Sequence, residues 1–265
     1  MRLSEALTPL LPGSGGPRVV ALVGAGGKTS ALFGLGEELA QGGARVLLTT
    51  TTHIYDPRLE EGRGFDRLVL DPALEFAGGQ PGAELLACAR PGGPRRIVLA
   101  AREEPGTGKL KGLHPAWVDR LAGAFDFVLV EADGGKRLPV KAPADHEPTV
   151  PAQTGLVVGF IGLGCLGRPM DAAVVHRPER FGPVAGCAPG EPIRLEHLAV
   201  LARSPLGLFK GAPEGARRAL VLNQADRCGL DPAAVLAVLG SRCADRVLVC
   251  VLGDPRPDRR VLALE

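Results

Sequence analysis

An apolar run, a glycine turn, a lysine and a threonine follow one another in Val19-Val20-Ala21-Leu22-Val23-Gly24-Ala25-Gly26-Gly27-Lys28-Thr29-Ser30. These residue types in this order suit phosphate. A strand that enters a glycine turn and then a helix presents backbone N–H groups at the helix N-terminus, where an anion is stabilised. Lys28 would reach the terminal phosphates of a nucleotide, and the Thr29 hydroxyl would ligate Mg²⁺. The pattern is a short one, G-x-x-G-K-T from Gly24 to Thr29, because Leu22 stands where a full P-loop has a further glycine. Gly24, Ala25, Gly26, Gly27, Lys28, Thr29 and Ser30 are therefore the candidate phosphate cradle.

Two carboxylates follow another apolar run. Phe127-Val128-Leu129-Val130 leads into Glu131-Ala132-Asp133-Gly134-Gly135-Lys136. Acids at such a place complete the shell of a Mg²⁺ ion or orient an attacking group in phosphoryl transfer. Thr29, Glu131 and Asp133 are the candidate metal ligands, and Lys28, Glu131 and Asp133 the candidate catalytic groups. A third run ends in Thr49-Thr50-Thr51-Thr52-His53, a cluster of hydroxyls able to meet Mg²⁺ directly or through water. Thr51 and His53 are candidate contacts to a second substrate. Asn223-Gln224-Ala225-Asp226 resembles the N-K-x-D element of guanine-binding NTPases, with glutamine in place of the lysine. Asn223 and Asp226 are candidate base contacts, with ATP or GTP as the ligand. His146, beside Glu147, and His176, beside Arg177, suit an anionic or metal-containing substrate.

The lysines are placed selectively. Of the six, at 28, 109, 111, 136, 141 and 210, five have glycine as an immediate neighbour, and Lys141 does not. Glycine lets a backbone approach a ligand closely, and lysine is a compact phosphate partner. Lys109, Lys111 and Lys136 join the candidate residues for a second substrate, an unknown small molecule. One glycine motif points elsewhere. Gly162-Leu163-Gly164-Cys165-Leu166-Gly167 has the spacing of a dinucleotide fingerprint, but the strand-borne acid expected about 20 residues later is missing. Nicotinamide or flavin binding is not expected.

The elements that would carry these groups alternate. Strands are expected at 18–23, 45–50, 67–70, 95–100, 125–131, 156–161, 219–222 and 246–251. Helices are expected at 29–41, 83–89, 115–122, 195–202 and 232–239. Such alternation implies an α/β fold, a mostly parallel sheet flanked by helices, P-loop NTPase-like, with ligands at the carboxyl ends of the strands. Residues 1–265 read as a single nucleotide-binding domain with loose ends at 1–16 and 254–265.

Composition narrows the classes. Hydrophobic residues make up 45% of 265, enough for a substantial core. A net charge of +2 calls for no nucleic-acid or acidic-membrane partner. No apolar run approaches a membrane span and the first residues carry no leader-like apolar stretch, so a cytoplasmic protein is expected. The six cysteines contain no C-x-x-C and read as buried thiols rather than a zinc site.

Taken together and in order, Val23–Thr29, Thr49–Ile54, Glu131–Lys136, Lys141–Pro148, His176–Glu179 and Leu222–Asp226 resemble the motifs of the YqeC family over roughly residues 15 to 250. Gln224 departs from the family's usual lysine. The resemblance implies an accessory protein for selenium-dependent molybdenum hydroxylases, active in preparing their selenium or molybdenum cofactor. The hydroxylase or its maturation proteins would be partners. An NTPase or NTP-dependent transferase fits that role. A nucleotide-gated chaperone that delivers the cofactor fits it too. The short glycine loop also resembles that of Mur-type ligases, which leaves open ATP-dependent ligation through an acyl phosphate.

Overall fold

The structure, a computed structural model, describes residues 1–11, 18–240, 242–254, 256 and 260–265. In chain order the first half contains α1 (Leu3–Leu7), β1 (Val19–Gly24), α2 (Lys28–Gln41), β2 (Val46–Thr50), β3 (His53–Tyr55), β4 (Arg67–Leu70), α3 (Ala83–Ala89), β5 (Arg96–Ala100), β6 (Arg102–Glu104), β7 (Lys109–Lys111), α4 (Pro115–Leu121) and β8 (Phe127–Glu131). The second half adds β9 (Val140–Lys141), β10 (Thr154–Gly162), β11 (Val175–His176), α5 (Pro178–Ala185), α6 (Leu195–Arg203), β12 (Arg217–Asn223), α7 (Pro232–Leu239), β13 (Arg246–Cys250) and β14 (Val261–Leu264).

Nine strands form one sheet in the order β14-β13-β12-β10-β1-β8-β2-β5-β4. Every neighbouring pair is parallel except β13 with β14. This is the mostly parallel, helix-flanked α/β arrangement expected from the alternation of strands and helices. β1 shows why its sequence is uniformly apolar. Alternate side chains of a strand face opposite ways, so Val19, Ala21 and Val23 enter one core while Val20 and Leu22 enter the other. The second of these cores lies under α1 and α2, with Leu3, Leu7, Leu32 and Leu35 buried in it. The first lies under α3, α4, α6 and α7, with Leu85, Trp117, Leu198 and Val235.

Several elements differ from expectation. A small antiparallel sheet, β3-β7-β6, stands apart from the large one. Its strands are three residues each, His-Ile-Tyr, Lys-Leu-Lys and Arg-Glu-Glu, and so show no apolar run. α5 was not anticipated, since proline stands at its start and again at Pro183. Of the ends expected to be loose, residues 12–17, 255 and 257–259 lie outside the described residues. The flanking ones are ordered by packing: Leu3 and Leu7 are buried, and β14 pairs with β13. Gly162–Gly167 leads from β10 into a short 3₁₀ turn at Leu163–Cys165, with no helix behind it. Among the described residues no helix is long and apolar enough to cross a membrane.

Candidate functional site

β1 lies between β8 and β10, so its carboxyl end opens at the middle of the sheet. The glycine turn there is held from several directions. Gly24 N–H donates to Asp133 Oδ2 at 3.0 Å, and Ala25 N–H to Phe160 O at 3.0 Å. Asn223 Nδ2 donates to Gly26 O at 2.7 Å. Two glycines are required on two counts. Gly24 and Gly26 have φ of +90° and +88°, and a Cβ on them would lie 2.4 Å from Phe160 O and 2.5 Å from Gly162 N. The N–H groups of Gly26, Gly27, Lys28, Thr29 and Ser30 donate to nothing among the described residues. They are the N–H groups that a helix N-terminus leaves for an anion.

Charges are concentrated behind this loop. Lys28 Nζ donates to Gly24 O at 2.5 Å and lies 3.2 Å from Asp133 and 3.6 Å from Glu131. Burial works against its charge, yet Asp133 and Glu131 outweigh burial and hold the ammonium above its ordinary value. Burial raises the Glu131 carboxyl, against the pull of Lys28 and of the Thr29 hydroxyl, which donates to Glu131 Oε2 at 2.8 Å. Asp133 continues inward to Lys141 at 2.9 Å, and Lys141 reaches Glu147 at 2.6 Å and Gly134 O at 2.7 Å. Arg177 closes the series, gripping Glu147 with two bonds of 2.7 and 3.1 Å. Burial favours the neutral Glu147, but Arg177 and Lys141 together lower its carboxyl to about 2.

A cavity of about 1410 Å³ opens over the loop. Of the phosphate-cradle residues, Ala25 through Ser30 line it. Glu131, His53, Lys109, Lys136, His176, Arg177, Asn223 and Asp226 line it too. The remaining expected residues lie elsewhere. Gly24 and Asp133 sit behind the loop; Asp133 is 1% exposed, with its oxygens turned to Gly24, Lys28 and Lys141 rather than to a metal position. Thr51 donates its hydroxyl to Thr149 O, and its neighbour Thr52 takes the cavity position. Lys111, opposite His53 on β7, does not line the cavity, and His146 is exposed away from it. Asn223 lines the edge, but its amide is committed at both ends: Nδ2 to Gly26 O and Oδ1 to Leu252 N–H at 2.9 Å. It anchors the loop, and Asp226 lines the cavity beside it. His176 is kept neutral, lowered to about 4 by burial and then by Arg177, Lys141 and Lys136.

Several pairings in this site are silent in the sequence. Lys141 and Glu147 pair in the buried charge series, and Tyr55 carries two cations on its ring, Arg137 at 3.9 Å and Lys109 at 5.0 Å. Two signals pointed to Lys141, its lack of a glycine neighbour and its place in the Lys141–Pro148 motif. Gly162 and Gly164 lie under the Gln224 side chain, where a Cβ would come 2.5 and 3.0 Å from its Oε1.

Comparison with known proteins gives three findings. A sequence model described as "YqeC protein" matches residues 20–179. The chain is 36% identical over 214 residues to "Uncharacterized protein YqeC" of Escherichia coli (strain K12), covering 80% of this chain and 78% of that one. Among solved structures it is similar to the cell division ATPase MinD of Pyrococcus furiosus, with a TM-score of 0.47 and 14% identity, over 89% of this chain and 84% of that one.

Proposed function

This chain belongs to the YqeC family, and from that premise and the geometry of its glycine loop we propose that it binds a magnesium nucleotide, ATP or GTP. It uses that nucleotide as an NTPase or an NTP-dependent transferase. The observation that carries the reading is the convergence of Lys28, Thr29 and Glu131 with the unused N–H groups of residues 26–30 on one cavity floor. Thr29 Oγ1 and Glu131 Oε2 are hard oxygen donors 2.8 Å apart, a set that suits Mg²⁺. They would hold the ion, which when bound neutralises phosphate charge.

The chain's own groups do the rest. The N–H groups cradle the phosphates. Lys28 exchanges Gly24 O for a phosphate oxygen, a stronger acceptor for its ammonium. Glu131 orients the attacking water or hydroxyl, and Asp133 keeps the loop and Lys28 in place. Such fixed charges aimed at the transferring group supply most of the catalysis in phosphoryl transfer. By family likeness the step served is maturation of the selenium or molybdenum cofactor of molybdenum hydroxylases. The motif set supports that role, with a hydroxylase or its maturation proteins as partner.

Calorimetric titration of ATP and GTP with Mg²⁺ tests the reading. The native protein is expected to bind one of them, and Lys28→Ala to lose it. Because that variant strands two buried acids, Thr29→Ala is measured beside it and is expected to lose the Mg²⁺ dependence. Native-like binding by both variants, or no binding by the native protein, overturns the proposal. Turnover that requires a small molecule marks a transferase, whereas turnover stimulated only by a protein partner marks a nucleotide-gated chaperone.

A further inference from the structure

Among the described residues four non-glycine positions hold a left-handed backbone: Lys136 (φ 48°), Arg137 (φ 59°), Arg177 (φ 68°) and Gln224 (φ 63°). All four line the same cavity. A residue with a Cβ is strained in this region, and such strain persists only where the surroundings enforce it, characteristically at ligand clamps. Gln224 is uncharged and lies over Gly162 and Gly164. The other three are cations.

Their side chains are only partly occupied. Lys136 has no hydrogen bond or ion pair with any described residue. Arg137 gives one bond of 2.5 Å to Glu60 and stacks on Tyr55, whose ring also carries Lys109. Arg177 holds Glu147 with two of its N–H groups and has others left. The phosphate loop lies close: a Cβ on Gly135 would be 3.3 Å from Lys28 Nζ, and Lys136 is the next residue. The cavity, at about 1410 Å³, also exceeds the roughly 300–1,000 Å³ typical of a single small-molecule site.

We propose that Lys109, Lys136, Arg137 and Arg177 form a second anion site facing the phosphate loop, which takes the phosphate group of a phosphorylated small molecule. The guanidinium fork of Arg177 already holds Glu147, and Arg137 spends one N–H on Glu60. What remains toward the cavity is two ammonium groups and the outer N–H groups of the arginines, a set matched to a tetrahedral dianion. The proposal rests on the nucleotide reading only in making this ligand the second substrate; the anion site stands on its own residues.

The test titrates phenyl phosphate, with benzoate as control, into protein saturated with Mg²⁺ and a non-hydrolysable analogue of the preferred nucleotide. Phenyl phosphate binds and benzoate does not. Lys136→Asn, in which asparagine tolerates the left-handed backbone, weakens phenyl phosphate about tenfold, with nucleotide affinity and melting temperature maintained. Equal binding of phenyl phosphate by native protein and Lys136→Asn, or equal binding of benzoate, overturns the proposal. So does competition of phenyl phosphate with the nucleotide together with its loss in Lys28→Ala, which would place it in the glycine loop. Should the native protein bind no nucleotide, the titration is made on the free protein in a Lys28→Ala background. Binding there that Lys136→Asn weakens keeps the anion site while the nucleotide reading falls; no binding overturns both.

Discussion

Replacing Glu147 by glutamine keeps the side chain's shape and removes its charge. Lys141 and Arg177 would then face a neutral amide at the centre of the buried charge series. The magnitude follows from the native carboxyl, which Arg177 and Lys141 lower from 4.5 to about 2 against the effect of burial. That displacement corresponds to about 3.4 kcal/mol. The Arg177 side opens on the cavity, where solvent screens the pair, so about 2 kcal/mol is expected at neutral pH. Because the folded value lies below the unfolded one, this stability is present above 4.5 and is lost as the pH falls toward 2. At about pH 3.5 roughly four-tenths of this screened neutral difference should remain. Urea unfolding of the native protein and Glu147→Gln, followed by circular dichroism at both pH values, measures it. Equal stabilities at neutral pH, or a difference that does not shrink on acidification, would refute the electrostatic account of Lys141 and Glu147.

Two further outcomes concern the loop and the base. Gly26→Ala puts a Cβ 2.5 Å from Gly162 N and 2.6 Å from Pro139 O at a φ of +88°, and should cost more than about 2 kcal/mol and abolish nucleotide binding; denaturant melts and calorimetry give the answer. Asp226 lines the cavity with no hydrogen bond or ion pair among the described residues. A carboxylate there accepts from the N1–H and 2-amino groups of guanine, so Asp226→Asn should weaken GTP about tenfold and favour xanthosine triphosphate; an unchanged preference removes Asp226 from base recognition.

The strands that carry the site were legible because both their faces are buried. β1, β2 and β8 feed alternate side chains to two cores and are therefore continuous apolar runs, each followed by its polar residues. β4, α3 and α7 also have the expected bounds. On the far wall the residues Lys109, Lys136 and Arg177 were expected, but the elements that carry it were not legible. β6 and β7, at Arg102–Glu104 and Lys109–Lys111, are too short and too charged for any periodicity to register. α5 starts from a left-handed Arg177, a conformation that no local residue preference favours. Lys141 looks like a surface lysine until Asp133 and Glu147 close around it. Asn223 reads as a base contact because its neighbours in sequence suggest one, while its actual partner, Gly26, is 197 residues away.

That separation bears on how the protein is made. Lys28, Thr29, Glu131, Asp133, Lys141, Glu147 and Arg177 all precede residue 180. Asp133 and Phe160, which also hold the glycine turn, precede it too, but the third hold comes after residue 220, from Asn223, which itself hangs on Leu252. During synthesis the nascent chain therefore displays every phosphate-facing side chain well before the turn is locked into shape. Contacts of such long range form late, after their loop-closure entropy has been met. Ligand affinity should then arise as one of the last events of folding, and a fragment ending near residue 180 would contain the chemistry without the site.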